Sequence, residues 1–153
     1  MSDPLIFMMG NFAAEFPQDL LYAKNHMWAM PLNDTGYRFG LTAYAVRLLQ
    51  DVYFLDLTIE PPMTVKARQE IGSIESKKAE SSLYAPLPGS IKAINKNLLE
   101  DPSAINADKY GLGWMMEMQV TTSEELLSPS QYLEHLKQAW EVAQRTIKGQ
   151  VNG

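Results

Sequence analysis

Two adjacent lysines, Lys77 and Lys78, lie in a polar stretch between two segments with the pattern of β-strands. Alternating apolar and polar residues lead in from Ile71, and Leu83 and Tyr84 lead out, which predicts two strands joined by a turn at the lysines. Because the stretch contains no Gly or Pro, ordinary residues must close the turn. A lysine at such a tip is exposed, and its amine is open to an acylating enzyme. Taken alone, the tip has a simpler interpretation, in which the lysines only keep a strand edge soluble.

Other residues that could do chemistry do not form a site in the sequence. His26 and His135 are the only histidines and lie far apart in the chain, with no cysteine to join them, so no metal site is expected. The glycines of residues 111–114 follow no strand-to-helix pattern, which argues against a phosphate loop. No motif suggests a nucleophile beside a base, so we expect that the chain is not an enzyme. With no cysteine, any thiol chemistry has to come from an added group.

A scaffold of β-strands is expected to hold the lysine turn. Short segments rich in β-branched, aromatic or alternating apolar residues recur through the middle of the chain. Turn residues separate them, for example at 33–36 and 86–89. This pattern predicts a mainly β fold, a small sandwich or barrel. The predicted strands cover residues 37–41, 52–57, 70–75, 90–94 and 114–120.

Two helices accompany these strands. A short internal helix is predicted over residues 42–50, where Thr42 can act as the N-cap, and it would plug one end of the sheets. A longer helix begins near the C-terminus. There Ser128 is the expected N-cap, Pro129 suits the first helical position, and Gln131 stands where a capping box has Glu or Gln.

The C-terminal helix is predicted to be amphipathic. Its apolar residues recur at spacings of three and four, which places them on one face. Arg145 and Lys148 are expected in its last turn, and Gly149 near its end. We expect this face to cover the core, and a docking surface for a partner is the alternative. The apolar residues are Tyr132, Leu133, Leu136, Trp140, Ala143 and Ile147.

Composition narrows the class of protein without identifying it. The 153 residues suit a single domain with one sizeable core. The formal net charge of −5 and the lack of a basic run argue against a nucleic-acid partner. We expect no membrane span and no signal peptide, and therefore a cytoplasmic location.

Four motifs, in order along roughly residues 17–134, resemble one known family. They surround the lysines and continue on both sides of them. The motifs are Tyr-Ala-Lys-Asn-His-Met-Trp at 22–28, Gly-Leu-Thr-Ala-Tyr-Ala at 40–45, Glu-Ser-Lys-Lys-Ala at 75–79 with Tyr-Ala-Pro-Leu-Pro-Gly at 84–89, and Asp-Pro at 101–102 with Ile-Asn at 105–106 and Tyr-Gly-Leu-Gly-Trp at 110–114. Together they resemble the H-protein of the glycine cleavage system.

The resemblance implies a fold, a cofactor and partners. Lys78, which precedes Ala79, aligns with the lysine that carries lipoate in the family, whereas Lys77 aligns with an unmodified position. The fold would be the barrel-sandwich hybrid of lipoyl carriers, and the protein a non-catalytic swinging arm. It would carry an aminomethyl intermediate between glycine decarboxylase, aminomethyltransferase and dihydrolipoamide dehydrogenase. A lipoylating enzyme would be a further partner, with Glu75 and Glu80 as its candidate contacts; as an alternative, both are solvated turn charges.

The resemblance also suggests a division of the single domain, residues 1–153. Residues 17–134 would form the H-protein-like core. Residues 1–16 would be an N-terminal extension that either adds an edge strand or packs on the domain. Residues 137–153 would be a C-terminal helical extension.

Three positions depart from the family in the same chemical direction. Met27 stands between His26 and Trp28 where Glu is usual, Ser82 replaces a usual Asp, and Ala43 stands where Asp is frequent. The candidate residues of the cleft for the arm are His26, Met27 and Ser82. If the family's acids line that cleft, Met27 and Ser82 weaken its hold on a cationic, aminomethylated arm.

These departures leave more than one function open. Ordinary drift, compensated by Glu15, Asp19 or Glu80, would retain the glycine cleavage carrier. An H-like lipoyl carrier for another pathway, such as sulfur-compound oxidation or relay of lipoyl groups, is the second interpretation, and an unlipoylated interaction module is the third. A biotin carrier is not expected, because methionines do not flank the lysine.

Overall fold

The computed structural model describes the backbone of residues 3–152 and the side chains of residues 3–145. Three antiparallel sheets and four helices form within this part of the chain. The mainly β fold, the short internal helix and the C-terminal helix predicted from the sequence are confirmed. None of the helices in the described part is long and apolar enough to span a membrane.

The first sheet is an N-terminal hairpin. Strands β1 (Leu5–Met9) and β2 (Phe12–Phe16) pair only with each other, so the hairpin packs on the domain and adds no edge strand to the larger sheets. Side chains alternate across the hairpin, which buries Met9 and Phe16 and leaves Ile6 exposed.

The second sheet has six strands. Its order is β3-β4-β5-β11-β10-β7, with every pair antiparallel. The predicted strands at 37–41 and 90–94 are confirmed, whereas the one predicted to start at 114 starts at Met116. The strands are β3 (Leu21–Tyr22), β4 (Met27–Pro31), β5 (Gly36–Leu41), β7 (Met63–Val65), β10 (Gly89–Ile94) and β11 (Met116–Val120).

The third sheet carries the lysine turn. It consists of β6 (Val52–Leu57), β8 (Glu70–Ser76) and β9 (Glu80–Tyr84), in the order β6-β8-β9. Strands β6 and β8 approach closely at Gly72, where a Cβ atom would lie 2.1 Å from the carbonyl oxygen of Asp56. A residue without a side chain is therefore required there.

The short internal helix begins where the sequence predicts. Helix α1 (Ala43–Leu49) is capped by Thr42, whose Oγ1 accepts a hydrogen bond from the Ala45 amide at 3.4 Å. Helices α2 (Lys96–Glu100) and α3 (Ala104–Ala107) are short and were not predicted. One turn of helix contains too few residues to show a periodic pattern.

Helix α4 (Pro129–Asn152) starts with the predicted capping box. Ser128 Oγ accepts from the Gln131 amide at 3.3 Å, and Gln131 Oε1 accepts from the Ser128 amide at 2.9 Å. The helix continues to Asn152, beyond the predicted end of the apolar stripe near Gly149, so the prediction that Arg145 lies in its last turn is wrong. The side chains of Ile147 and Lys148 lie outside the described residues.

Two clusters of buried side chains form the core. The first is built from both larger sheets and includes Phe39, Ile74 and Ile91. The second lies where the hairpin and α4 cover β3 and β4, and it includes Phe16 and Tyr132. Tyr132 and its helix therefore cover the core, as the amphipathic pattern predicts.

The lysine turn and the adjoining cleft

Ser76 closes the turn between β8 and β9. Its hydroxyl oxygen accepts from the Ala79 amide at 3.1 Å and donates to the Ala79 carbonyl at 3.0 Å, and the Ser76 amide donates to the same carbonyl at 2.9 Å. The side chain is only 5% exposed. A buried hydroxyl thus supplies the local hydrogen bonds that a turn without Gly needs.

The two lysines occupy different places in this turn. The Lys77 amide donates to the Asp51 carbonyl at 2.8 Å, which ties this residue to the segment before β6. The Lys78 amide makes a longer bond, 3.4 Å, to Ser76 Oγ. Both lysines are exposed, and neither has a positive φ. The predicted exposure of the lysine tip is confirmed, with Lys78 less tightly held than Lys77.

Glu75 and Glu80 face each other directly below the tip. They are Cα partners across β8 and β9; Glu75 is half-buried and Glu80 is exposed. Two like charges in such a cross-strand pair are mildly destabilising. The structure therefore places two carboxylates next to the lysines with no compensating ion pair among the described residues.

The three candidate cleft residues lie together. His26, Met27 and Ser82 line one cleft of about 220 Å³ between the β3–β4 turn, helix α1 and strand β9. Strand β9 leads from the lysine turn into this cleft, since Ser81, three residues after Lys78, also lines it. At about 3.3 Å per residue of strand, that separation is at most about 10 Å along the chain.

The walls of the cleft carry no Asp, Glu, Lys or Arg among the described residues, and most are apolar. None of Glu15, Asp19 and Glu80 lines it. Ala43 lies elsewhere, in a concavity with Phe12 and Arg47. Within the described part of the chain, no acid compensates for Met27 and Ser82 in this cleft.

His26 links the cleft to helix α4. Its Nδ1 lies 2.8 Å from the Tyr132 hydroxyl, which lies 3.0 Å from Thr42 Oγ1. Thr42 is completely buried, and its oxygen already accepts from the Ala45 amide, so among the described residues its O–H has only the Tyr132 oxygen as an acceptor. Tyr132 then donates to His26 Nδ1. We therefore assign the hydrogen of His26 to Nε2.

Burial keeps His26 neutral. Desolvation first, and the nearby His135 imidazole second, lower the pKa of His26 to about 4. The two rings lie 5.5 Å apart between centroids, although the sequence separates them widely. In residues 3–145 no group of three or more potential metal ligands forms around them. Burial also raises the pKa of the Tyr132 phenol, which stays protonated and able to donate.

Asn25 and Tyr84 are among the cleft residues that were not predicted. Asn25 Nδ2 donates to the Tyr84 carbonyl at 3.0 Å, which joins the β3–β4 turn to the end of β9, and both residues line the cleft. Asn25 Oδ1 is buried without a hydrogen-bond partner in the described residues. No local sequence pattern predicts this contact, because it joins residues that are distant in the chain. For the same reason, the sequence does not predict that helix α4 supports the cleft through Tyr132.

Other motif residues maintain the scaffold. Trp28 packs against Gly40, where a Cβ would lie 2.7 Å from the indole, and Trp28 Nε1 donates to the Lys109 carbonyl at 2.8 Å. The Asn106 side chain accepts from the Val52 amide at 2.9 Å and donates to the carbonyl of residue 50 at 2.7 Å. The Asn106 bonds tie the start of β6 to helix α3.

A mainly β sandwich that presents an exposed lysine turn beside a small apolar cleft defines a carrier class of protein, and comparison with known proteins agrees. A family model described as "Glycine cleavage H-protein" matches residues 20–141. The chain belongs to the glycine cleavage H-protein family, whose members are non-catalytic carriers of lipoate. The family resemblance seen in the sequence is thereby confirmed. The hairpin β1–β2 lies outside the matched residues.

Relatives and a solved structure support this membership. A glycine cleavage system H protein of Rubrobacter xylanophilus is 39% identical over 125 residues, which cover 82% of this chain and 98% of that protein. A probable glycine cleavage system H protein 1 of Saccharolobus solfataricus is 37% identical over 123 residues, covering 78% and 89%. The crystal structure of a glycine cleavage system H protein from Mycobacterium marinum matches with a TM-score of 0.69 and 36% identity, covering 81% and 98%.

Proposed function

We propose that Lys78 carries lipoate in amide linkage and that the protein is the swinging-arm carrier of a glycine cleavage system. The observation that carries this proposal is the position of Lys78 at the exposed turn closed by Ser76, within the Glu75-Ser76-Lys77-Lys78-Ala79 segment. Amide formation would remove one positive charge and make the formal net charge of −5 one unit more negative. The attached group would supply a disulfide that is reduced as it takes up the aminomethyl group of glycine and is left as a dithiol when that group is released.

The scaffold would serve this function by presenting a long arm at a defined point. The turn is held by the Ser76 hydrogen bonds and by the Lys77 bond to the Asp51 carbonyl, so an attaching enzyme would meet Lys78 in a constant geometry. A tethered group stays at high effective concentration near successive partners. Those partners would be glycine decarboxylase, aminomethyltransferase and dihydrolipoamide dehydrogenase.

Glu75 and Glu80 are proposed contacts for the lipoylating enzyme. Their carboxylates flank the turn on paired strands and have no ion-pair partner among the described residues. They could therefore accept charge-assisted hydrogen bonds from an enzyme's Arg or Lys.

A cytoplasmic location is also proposed. The chain has no cysteine, so its fold does not depend on a disulfide or on an oxidising compartment.

The cleft is proposed as the resting place of the arm, with His26, Met27 and Ser82 in its wall. It lies along β9 from the turn, and its apolar lining suits a hydrocarbon arm. Residues 17–134 would be the carrier core, with residues 1–16 and 137–153 as extensions; Phe16 lies in the second hydrophobic cluster and Trp140 packs against it.

One observation favours a second candidate function. Among the described residues the cleft offers a cationic amine no carboxylate, only uncharged groups such as the unpaired Oδ1 of Asn25, and a buried ammonium without an anionic partner is costly. An H-like lipoyl carrier for another pathway would need no such partner. An unlipoylated interaction module is the third candidate.

Intact mass after incubation with a lipoylating enzyme and lipoate tests the modification. We expect one lipoyl mass on the wild type and on Lys77→Arg, and none on Lys78→Arg. An unmodified wild type contradicts the carrier function. Modification of Lys78→Arg together with loss in Lys77→Arg would assign the arm to Lys77 instead.

Incubation of the lipoylated protein with glycine decarboxylase and labelled glycine tests the pathway. We expect the labelled aminomethyl adduct to accumulate, as it does on an established H-protein in a parallel reaction. A lipoylated protein that accumulates no adduct would favour the carrier of another pathway.

A further inference from the structure

Two consecutive aromatic residues are exposed beside the lysine turn. Tyr53 is 63% exposed and Phe54 is 47% exposed, both on β6. In a regular strand one of two consecutive side chains would point into the core. Here the pairing with β8 shifts register between Val52 and Phe54, so that Tyr53 is the extra residue of a bulge. A bulge that re-aims a side chain is typical of a functional edge.

Phe54 forms one row with the two carboxylates of the turn. It is the Cα partner of Glu75, which is in turn the partner of Glu80, so the three side chains point to the same side of the sheet. Asp56, two residues further along β6, is exposed on the same side. We call the surface made of Tyr53, Phe54, Glu75 and Glu80 the tip face.

The tip face carries two carboxylates and no basic residue of its own, with Lys77 and Lys78 next to it at the turn. None of Asp56, Glu75 and Glu80 forms an ion pair with another described residue. Exposed aromatics bordered by carboxylates complement a partner with an apolar socket bordered by Arg or Lys, since aromatic side chains dominate interface energies and charges guide association.

We propose that the tip face is the docking surface for the enzyme that acylates Lys78, with Phe54 and Tyr53 as the apolar anchors. This rests on the proposed function, because it requires Lys78 to be acylated. Before acylation no arm exists, so the enzyme must bring its own active site to the lysine. The turn alone offers few contacts, whereas Glu75, three residues from Lys78, begins a surface within about 10 Å of it.

The steady-state kinetics of acylation of the unmodified protein test the proposal. We expect Phe54→Ser and Tyr53→Ser each to raise the KM for the carrier about five- to tenfold, with kcat nearly unchanged, because docking and not chemistry is weakened. Phe54→Leu retains an apolar anchor and should recover most of the loss. Ile6→Ser is the matched control, since Ile6 is 52% exposed on the hairpin β1, and its KM should equal that of the wild type.

Two further measurements make the test specific. Raising the ionic strength should raise the KM of the wild type more than that of Glu80→Gln, because salt screens the contribution of the carboxylate. Phe54→Ser that has been lipoylated to completion should be reduced by NADH and dihydrolipoamide dehydrogenase at the wild-type rate. A reduction rate that falls as far as acylation does would assign the face to general carrier contacts and overturn the proposal.

The remaining outcomes separate this inference from the proposed function. A wild type that gains no lipoyl mass overturns both. A wild type that is acylated, with Phe54→Ser and Tyr53→Ser acylated at unchanged KM, overturns this inference alone. A wild type that dimerises in sedimentation, while Phe54→Ser is monomeric, identifies a second copy of the chain as the occupant and also overturns it.

Discussion

The imidazole Nδ1 of His26 and the hydroxyl of Tyr132 lie 2.8 Å apart, although 106 residues separate them in the chain. This contact joins the turn before β4, which lines the cleft, to the buried face of helix α4. Because Thr42 at the start of α1 bonds to the same hydroxyl, three elements meet at one phenol. Helix α4 is therefore part of the support of the cleft, in addition to covering the core.

Replacing Tyr132 by Phe tests this support. Tyr132→Phe keeps the ring that stacks on Tyr22 at 4.7 Å, but it leaves the buried Thr42 hydroxyl without an acceptor. We expect a loss of about 1–3 kcal/mol in the free energy of unfolding, measured with urea. Tyr53→Phe, which removes an exposed hydroxyl, should change it by less than about 0.5 kcal/mol. Equal stabilities of the two variants would contradict the network.

The neutral state of His26 predicts a dependence of stability on pH. The pKa of His26 is lowered in the folded protein from 6.5 to about 4, so the unfolded chain binds more protons between these values. The contribution of neutral His26 to the free energy of unfolding is therefore complete above about pH 6.5. It is lost as the pH falls towards 4, which lowers the free energy of unfolding by about 2–3 kcal/mol.

His26→Asn is the matched variant for this prediction, because Asn tolerates the positive φ of 72° at this position. Urea unfolding of both proteins from pH 7 to pH 4 isolates the histidine from the carboxylates that titrate in the same range. The wild type should lose more stability than the variant. Parallel pH profiles would show that His26 does not titrate differently on folding.

The Ser76 hydroxyl is expected to stabilise the lysine turn. Ser76→Ala removes the acceptor of the Ala79 amide and should cost about 1–2 kcal/mol. It should also slow acylation of Lys78, because the turn is less ordered. Ser81→Ala removes only an exposed bond to the next carbonyl and should cost less than about 0.5 kcal/mol in thermal unfolding. If the Ser76→Ala protein is as stable as Ser81→Ala, the Ser76 hydroxyl does not stabilise the lysine turn.

Gly72 should be intolerant of any side chain. A Cβ there would lie 2.1 Å from the Asp56 carbonyl oxygen, so β6 and β8 would have to separate. We expect Gly72→Ala to cost about 3 kcal/mol or more. Gly10→Ala has open space and meets only the cost of its positive φ of 63°, about 1 kcal/mol. Thermal unfolding that ranks the two variants in the opposite order would be inconsistent with the close approach of the strands.

The N-terminal hairpin should contribute to global stability. Phe16 is fully buried and meets the Tyr22 and Tyr132 rings edge-on at 6.0 and 5.4 Å between centroids. Phe16→Ala should cost about 3–5 kcal/mol, whereas the exposed Ile6→Ala should cost less than about 0.5 kcal/mol. The measurement is urea unfolding followed by intrinsic fluorescence. A small loss for Phe16→Ala would show that the hairpin is dispensable.

Local patterns account for the elements that the sequence predicted correctly. The strand at 52–57 and the capping box of Ser128 and Gln131 depend on residues that are neighbours in the chain. Helix α4 continues past Gly149 to Asn152, because a single glycine does not stop a helix by itself. The very short strands β3 and β7 contain too few residues to show an alternating pattern.

By itself, the sequence determined the lysine turn, the mainly β class, the C-terminal helix and membership of the H-protein family, because each depends on local periodicity or on ordered motifs. Only the tertiary structure decided that His26, Met27 and Ser82 share one cleft, that no described acid lines it, and that Tyr132 supports it. The physical reason is that these contacts depend on strand register and on the packing of a distant helix. Burial and pairing between remote segments set both, and no local pattern encodes them.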